Sequence, residues 1–307
     1  MSTATHSTTP EEESDRGVLA RVRSSPFLSD LLSNRLALAG MIIIAALIVV
    51  ALYGRIFLSL DALRSAHYAT NPTLGSPSLA NPFGTDNLAR SIFLRTIYGA
   101  WMALKYATVT VAASTFLGIS LGMIAAYYGD ITDNVIMRTM DVLLSFPSLL
   151  LALALVAIFG TGLWKAVLAL TLVYTPRFAR VVRGATLRVL EDEYIEATEA
   201  LGASDWRILL KHVLPNTLAP ITVQSTLNYG LAIIDLAALS FLGFGADPGM
   251  PSWGIMLSNG VSHGLFIGAW WWSFFPGMAI ALTVLGFNLL GDGMRDALDP
   301  RMREAID

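Results

Sequence analysis

Few residues in this 307-residue chain have the types and spacing that chemistry needs. There is no cysteine, which excludes disulfides, thiolate metal sites and cysteine nucleophiles without fixing a compartment. The four histidines, His6, His67, His212 and His263, are scattered, and none belongs to an HExxH pattern. No GxxxxGK run followed by Ser or Thr occurs, so the chain has no P-loop for ATP. Gly291-Asp292-Gly293 sits where an apolar run ends and lacks a second intramembrane aspartate, which gives an intramembrane protease little support. What remains is a pair of ionisable residues deep inside apolar runs, Lys105 and Asp235. Ionisable groups are costly in a bilayer and are functional candidates by default. One reading has them facing a translocation pathway or pairing across a bundle. The other has Lys105 snorkelling to the outer interface. Asp141, near an inner end, reads as a solvated or capping acid. No catalytic, metal-binding or cofactor-binding residue is predicted.

The elements that must position these residues are membrane helices. The chain is 54% hydrophobic and 14% charged, with mean hydropathy +0.60, and its charges are clustered. Apolar runs of about 18 or more residues read as transmembrane helices. The predicted fold class is all-α: a polytopic membrane protein with six spans. A net charge of −3 gives no reason to expect nucleic acid as a partner. The polar N-terminal stretch STATHSTTPEEESD is not a signal peptide, because the apolar run after it lacks a cleavage site.

Taken in order, residues 1–35 form a largely disordered cytoplasmic segment, rich in Ser, Thr and Glu. The Pro26-Phe27-Leu28 stretch is either an interfacial element or a lead-in. Residues 36–57 are the first span. Arg16, Arg21, Arg23 and Arg35 before it place the N-terminus inside by the positive-inside rule. Residues 58–97 form an external loop with turns at Pro72, Pro77 and Pro82. Residues 98–291 hold a five-helix core with spans near 98–127, 140–159, 164–182, 218–241 and 269–290. Residues 129–138 connect inside, and 243–268 form a second external loop. Gly118 and Gly122 make a GxxxG pair in span two, and Pro147 is expected to kink span three. Trp270, Trp271 and Trp272 fit an interfacial aromatic belt. Residues 292–307, with Arg295, Arg301 and Arg303, form a cytoplasmic tail, so both termini lie inside.

The longest charge-rich stretch after the N-terminal segment is a loop, residues 186–216, with a helical hairpin over Glu193–Pro215. Glu191, Asp192 and Glu193 suit the first turn of a helix, where the macrodipole favours negative charge. Tyr194, Ala197 and Leu201 recur at helical spacing, and Gly202 can take a left-handed C-cap. Ser204 can cap a second helix with a stripe of Trp206, Leu209, Leu210 and Val213, limited by Pro215. Such a hairpin either docks into a partner's groove or rests on its own bundle.

The hairpin resembles the EAA loop of ABC importer permeases. Glu196, Ala197, Gly202, Leu214 and Pro215 match at the family's spacing. Thr198 replaces the second alanine, and His212 occupies an isoleucine position beside Val213. The resemblance runs over residues 82–301 and is closest to the dipeptide/oligopeptide/nickel group, the DppC/OppC-like permeases. It is carried by Pro82-Phe83-Gly84-Thr85-Asp86, Ser145-Phe146-Pro147, Leu239-Ser240-Phe241-Leu242-Gly243, Pro251-Ser252-Trp253-Gly254, the 287–293 run FNLLGDG, and Asp299-Pro300-Arg301. It departs at Ala89-Arg90-Ser91, where the group has Gly-Arg-Asp. It departs again at Leu236, where the group has an acid that Asp235 precedes by one position.

The resemblance implies a complex in the cell's inner membrane. Its members would be a second homologous permease, two ABC ATPase subunits that bind ATP and Mg, and an external solute-binding protein. It implies that Tyr194, Glu196, Ala197, Leu201, Gly202, Ala203, Leu214 and Pro215 couple the spans to an ATPase cleft. Glu196 and the apolar stripe would anchor the hairpin, and Gly202 would set its angle. The cargo implied is a di- or oligopeptide, with nickel or another small solute as the alternative. An ion-driven secondary transporter would need inverted repeats and midplane charges, and it leaves the hairpin unexplained.

Overall fold

The computed structural model describes residues 31–298, so residues 1–30 and 299–307, with the N-terminal segment, the interfacial element and the end of the tail predicted there, lie outside the description. The described residues form helices and turns with one isolated bridge, Thr85 to Ser91, and no strand.

Helix α1 covers Arg35–Phe57, and the Asn34 side chain caps it by accepting from the Leu36 and Ala37 amides. A short α2, Leu60–Arg64, leads into turns and then α3, Ile92–Tyr128. At 37 residues α3 is about 55 Å long, far more than a hydrocarbon core requires. Next come α4, Asp130–Leu144, α5, Ser148–Phe159, and α6, Leu163–Leu190. The hairpin follows as α7, Glu193–Ala200, and α8, Asp205–Ile208. A π-turn, Leu209–Val213, runs directly into α9, Leu214–Phe241. α10, Trp253–Asn259, and two short helical turns precede α11, Trp271–Leu298.

The bundle centres on α3 and α6, which pack against each other most extensively. Gly118 and Gly122 are the reason. A Cβ on Gly118 would collide with Phe178, and one on Gly122 would come within 2.6 Å of the Ala179 carbonyl oxygen. The GxxxG pair therefore lets α6 approach α3 backbone to backbone. Val111, Leu170, Phe178, Ile233, Leu236 and Leu239 fill the core where α9 joins that pair.

Among the described residues, three helices are long and apolar enough to cross a membrane: α1, α3 and α11. α6 and α9, at 28 residues each, have the length but carry polar and charged residues such as Arg177 and Asp235. Half of α6 is buried against its neighbours, and Arg177 and Asp235 both lie half-buried against the bundle, so these helices need less apolarity. The kink expected in the third predicted span is corrected to a sharp break. The chain breaks between Leu144 and Ser148, and α4 and α5 meet at 93°. Pro147 lacks the amide that would continue the ladder, and Ser145 ends α4. α5 alone is only about 18 Å long. The predicted connection 129–138 is itself helical, part of α4.

The segments between α2 and α3 and between α9 and α10 are built rather than loose. Arg95 is buried and donates to the carbonyls of Leu63, Gly249 and Met250, tying these two segments together. Arg90 and Asp86 form a buried pair at 2.7 Å. Ala89, at the group's glycine position, has φ +57°. The Trp270–Trp272 belt is also corrected: Trp272 is 2% exposed, and the Trp271 indole donates to the Thr85 carbonyl, which leaves Trp270 outward. These rings close that end of the bundle, with Trp253 donating to the Thr96 carbonyl at 2.8 Å.

Candidate functional site

The hairpin starts after Asp192, whose extended backbone lets α7 begin with Glu193 and Glu196 in its first turn. It turns at Gly202, where φ is +80°. The Gly202 amide donates to the Glu199 carbonyl at 2.8 Å, closing the helix end. Ser204 occupies the cap position of α8, but its side chain makes no capping bond, against expectation. Instead the α8 N-terminus is held through Asp205. Its carboxylate accepts from the Tyr127 and Tyr128 hydroxyls at 3.2 and 3.1 Å.

Pro215 does not end the second helix as expected. It falls in the first turn of α9, where a missing amide is tolerated, and the Leu214 amide reaches back five residues to Leu209. The wide π-turn thus carries the hairpin into the span without leaving helical backbone.

The hairpin has two apolar faces. Ile195, Ile208, Leu209 and Val213 are buried against Met123, Val182, Val189 and Ile221 of the bundle. Ala203 and Leu214 pack beside them, partly buried. The other face projects outward: Leu201 is 89% exposed and Trp206 64%, with Leu210 and Tyr194 also exposed. The predicted stripes are therefore split. Leu209 and Val213 belong to the inner face, whereas Tyr194, Leu201, Trp206 and Leu210 belong to the outer one. Glu196, Ala197, Gly202 and Pro215 are exposed as well. Sequence reasoning missed Ile195 and Ile208, the inner anchors. A second apolar series offset by one residue from Tyr194 and Leu209 was the signal. Tyr194 is steadied by Asn216, which donates to its hydroxyl at 3.0 Å.

Beside the hairpin, two ion pairs tie α4 to α6: Arg183 with Asp133, and Arg180 with Asp141 at 2.6 Å. Asp141 is thus a paired acid rather than a merely solvated one. The Arg183 guanidinium holds the Asp133 carboxyl below the usual carboxylate range by its hydrogen bond.

The two intramembrane candidates do not pair with each other. Lys105 places its ammonium over the rings of Tyr106 and Trp164, 5.1 and 5.4 Å from their centroids. Asp235 accepts a 2.7 Å hydrogen bond from the hydroxyl of Tyr174, a fully buried residue of α6. Arg177, one turn along α6, lies over the Tyr174 ring at 5.6 Å. Tyr174 and Arg177 were not anticipated as companions of Asp235. Among the described residues, no group of His, Asp and Glu could hold a metal ion.

Residues 118–304 match the family model described as binding-protein-dependent transport system inner membrane component. The chain is 46% identical over 272 residues to a dipeptide transport system permease protein, DppC, of Alkalihalophilus pseudofirmus, covering 88% of this chain and 87% of the relative. It is 41% identical over 272 residues to a glutathione transport system permease protein, GsiD, of Pectobacterium atrosepticum, covering 89% of each. Among solved structures, an inward-facing form of the MetNI methionine ABC transporter aligns with TM-score 0.55 and 19% identity. That alignment covers 68% of this chain and 98% of the other, and it supports the fold alone.

Proposed function

The chain belongs to the binding-protein-dependent transport system inner membrane components and is a permease subunit of an ABC importer; on that premise we propose that it carries short peptides, with its hairpin seated in a partner ATPase. The relatives named for dipeptide, glutathione and peptide transport favour peptide as cargo over nickel or another small solute. The finer arrangement proposed is six membrane crossings with both termini inside. The complex would comprise a second permease, two ATPase subunits and an external solute-binding protein.

The observation that carries this reading is the two-faced hairpin. Four inner residues fix it to the bundle, and Leu201, Trp206, Leu210 and Tyr194 leave an apolar patch on an otherwise polar element. Exposed apolar patches rimmed by polar residues mark docking sites. In the mechanism proposed, ATP binding closes the ATPase pair and displaces the hairpin. Its motion passes along the π-turn into α9, and through Asp205 into α3. ATP and cargo each shift the inward–outward equilibrium only by their differential affinity for the two states.

The chain has no cysteine, so single cysteines report cleanly. Leu201→Cys and Trp206→Cys are expected to be shielded from a maleimide, and to cross-link to the ATPase, only when the ATPase is present. Equal labelling with and without it would remove the docking role.

A further inference from the structure

Asp235 and Arg177 carry opposite charges on either side of Tyr174 but do not touch. The Tyr174 hydroxyl holds Asp235 Oδ2 at 2.7 Å, while the Arg177 guanidinium lies over the ring face, 5.6 Å from its centroid. No described residue makes a hydrogen bond or ion pair to Asp235 Oδ1 or to the Arg177 guanidinium. Neither group is sealed in the interior as an orphaned buried atom. Both residues are half-buried. Each charge therefore keeps unused hydrogen-bonding capacity and looks onto accessible space.

A carboxylate and a guanidinium in this state cannot face acyl chains. Intramembrane charges face a bundle interior or a water-filled passage. Tyr174 is the spacer that prevents them from neutralising each other. It is fully buried, so it cannot swing aside. Were the pair structural, a direct bidentate Arg–carboxylate bridge would satisfy both groups better. The arrangement instead presents a fixed dipole, negative at Asp235 toward the outer half of α9 and positive one turn further in on α6.

We infer that Asp235 and Arg177, held apart by Tyr174, form a station in the translocation pathway for a zwitterionic cargo. Asp235 receives the protonated amino terminus of a short peptide, and Arg177 receives its carboxylate. Extended chain advances about 3.5 Å per residue, so the free ends of a dipeptide can bracket one aromatic ring. Tyr174 is the positioning residue, and Asp235 and Arg177 are the binding residues. This rests on the peptide-permease reading above and adds the site that selects free termini.

The test uses the complete complex with its binding protein in proteoliposomes, supplied with radiolabelled alanylalanine. The readout is dipeptide imported per ATP hydrolysed. Asp235→Asn and Arg177→Gln are each expected to lower it about tenfold or more, the loss for a hydrogen bond to a charged group. Asp235→Glu, which keeps the charge, is expected to stay close to wild type. Should Asp235→Asn fail to assemble, Tyr174→Phe removes one hydroxyl while keeping the ring, and a several-fold loss there supports the station. Values near wild type for the assembled variants would overturn it, as would Asp235→Glu falling as far as Asp235→Asn, which marks a packing role. A wild-type complex that imports no dipeptide would overturn the peptide reading along with the station. Wild-type import with unaffected variants overturns the station alone.

Discussion

The Tyr128 hydroxyl lies 3.1 Å from an Asp205 carboxylate oxygen, joining the C-terminal end of α3 to the first residue of α8. Tyr127 grips the other oxygen at 3.2 Å, so two neighbouring phenols from one helix hold one acid on another. The contact is exposed and adds little to global stability. In the proposed mechanism it passes movement from the hairpin to α3.

Replacing both phenols, Tyr127→Phe with Tyr128→Phe, is expected to leave membrane insertion intact. Transport per ATP should fall about fivefold or more, the low end of the range for coupling between sites. Uptake and ATPase measured together on the reconstituted complex check this. Unchanged stoichiometry would mean that α3 takes no drive from Asp205.

Gly202 has φ +80°, and a Cβ there would meet nothing within 4 Å. The cost of Gly202→Val is therefore backbone strain alone, about 1–2 kcal/mol for an L-residue in the left-handed region. A β-branched side chain makes it worse. The variant should insert and assemble but hydrolyse ATP without proportionate uptake. Gly202→Asn, which tolerates this region, should recover most of the coupling.

Gly122 lies where α3 and α6 meet. A Cβ there would approach the Ala179 oxygen at 2.6 Å and the Val182 Cβ at 2.9 Å. Gly122→Leu is expected to destabilise the bundle by about 1–3 kcal/mol or more. Thermal unfolding of the detergent-purified chain, followed by size-exclusion profile, reads this directly. Gly184, whose added Cβ meets nothing within 4 Å, gives the matched control as Gly184→Ala.

The Asp133–Arg183 pair gives a pH signature. Arg183 depresses the Asp133 carboxyl below its unfolded value, so its contribution is fully present above the ordinary carboxylate pKa. It is lost as pH falls through the lower, folded value. Wild type should therefore melt above Asp133→Asn at neutral pH, and the gap should close only in the acid range below about pH 4. A gap that persisted unchanged there would assign the effect to packing.

Local features were legible in the sequence, and relationships between distant segments were not. Gly202 after Leu201 announces a helix end because a positive φ is a property of one residue. Pro147 announced a bend for the same reason, yet the 93° between α4 and α5 depends on the ion pairs and packing that hold α4 along α6. The hairpin's inner face could not be chosen from spacing, since Ile195 and Tyr194 sit side by side on an element apolar on two sides. Asp235 stood out as a buried acid, but Tyr174 is 61 residues away in the chain, and only the fold joins them. Lys105 was matched to Asp235 by charge, and it found aromatic faces nearer by.

The π-turn at Leu209–Val213 sets a phase. It holds one more residue than an α-helical turn would, between the outward patch of the hairpin and the face of α9 that bears Asp235. In an α-helix each residue advances the azimuth by about 100°. The wider turn absorbs the extra residue, so removing one would leave Leu201 and Trp206 near their present azimuth relative to Asp235, whereas removing one from the α-helical stretch before Asp235 would swing them by about 100°. The alignment of the hairpin's outward patch with the Asp235 face of α9 is thus kept by a turn that widens instead of rotating.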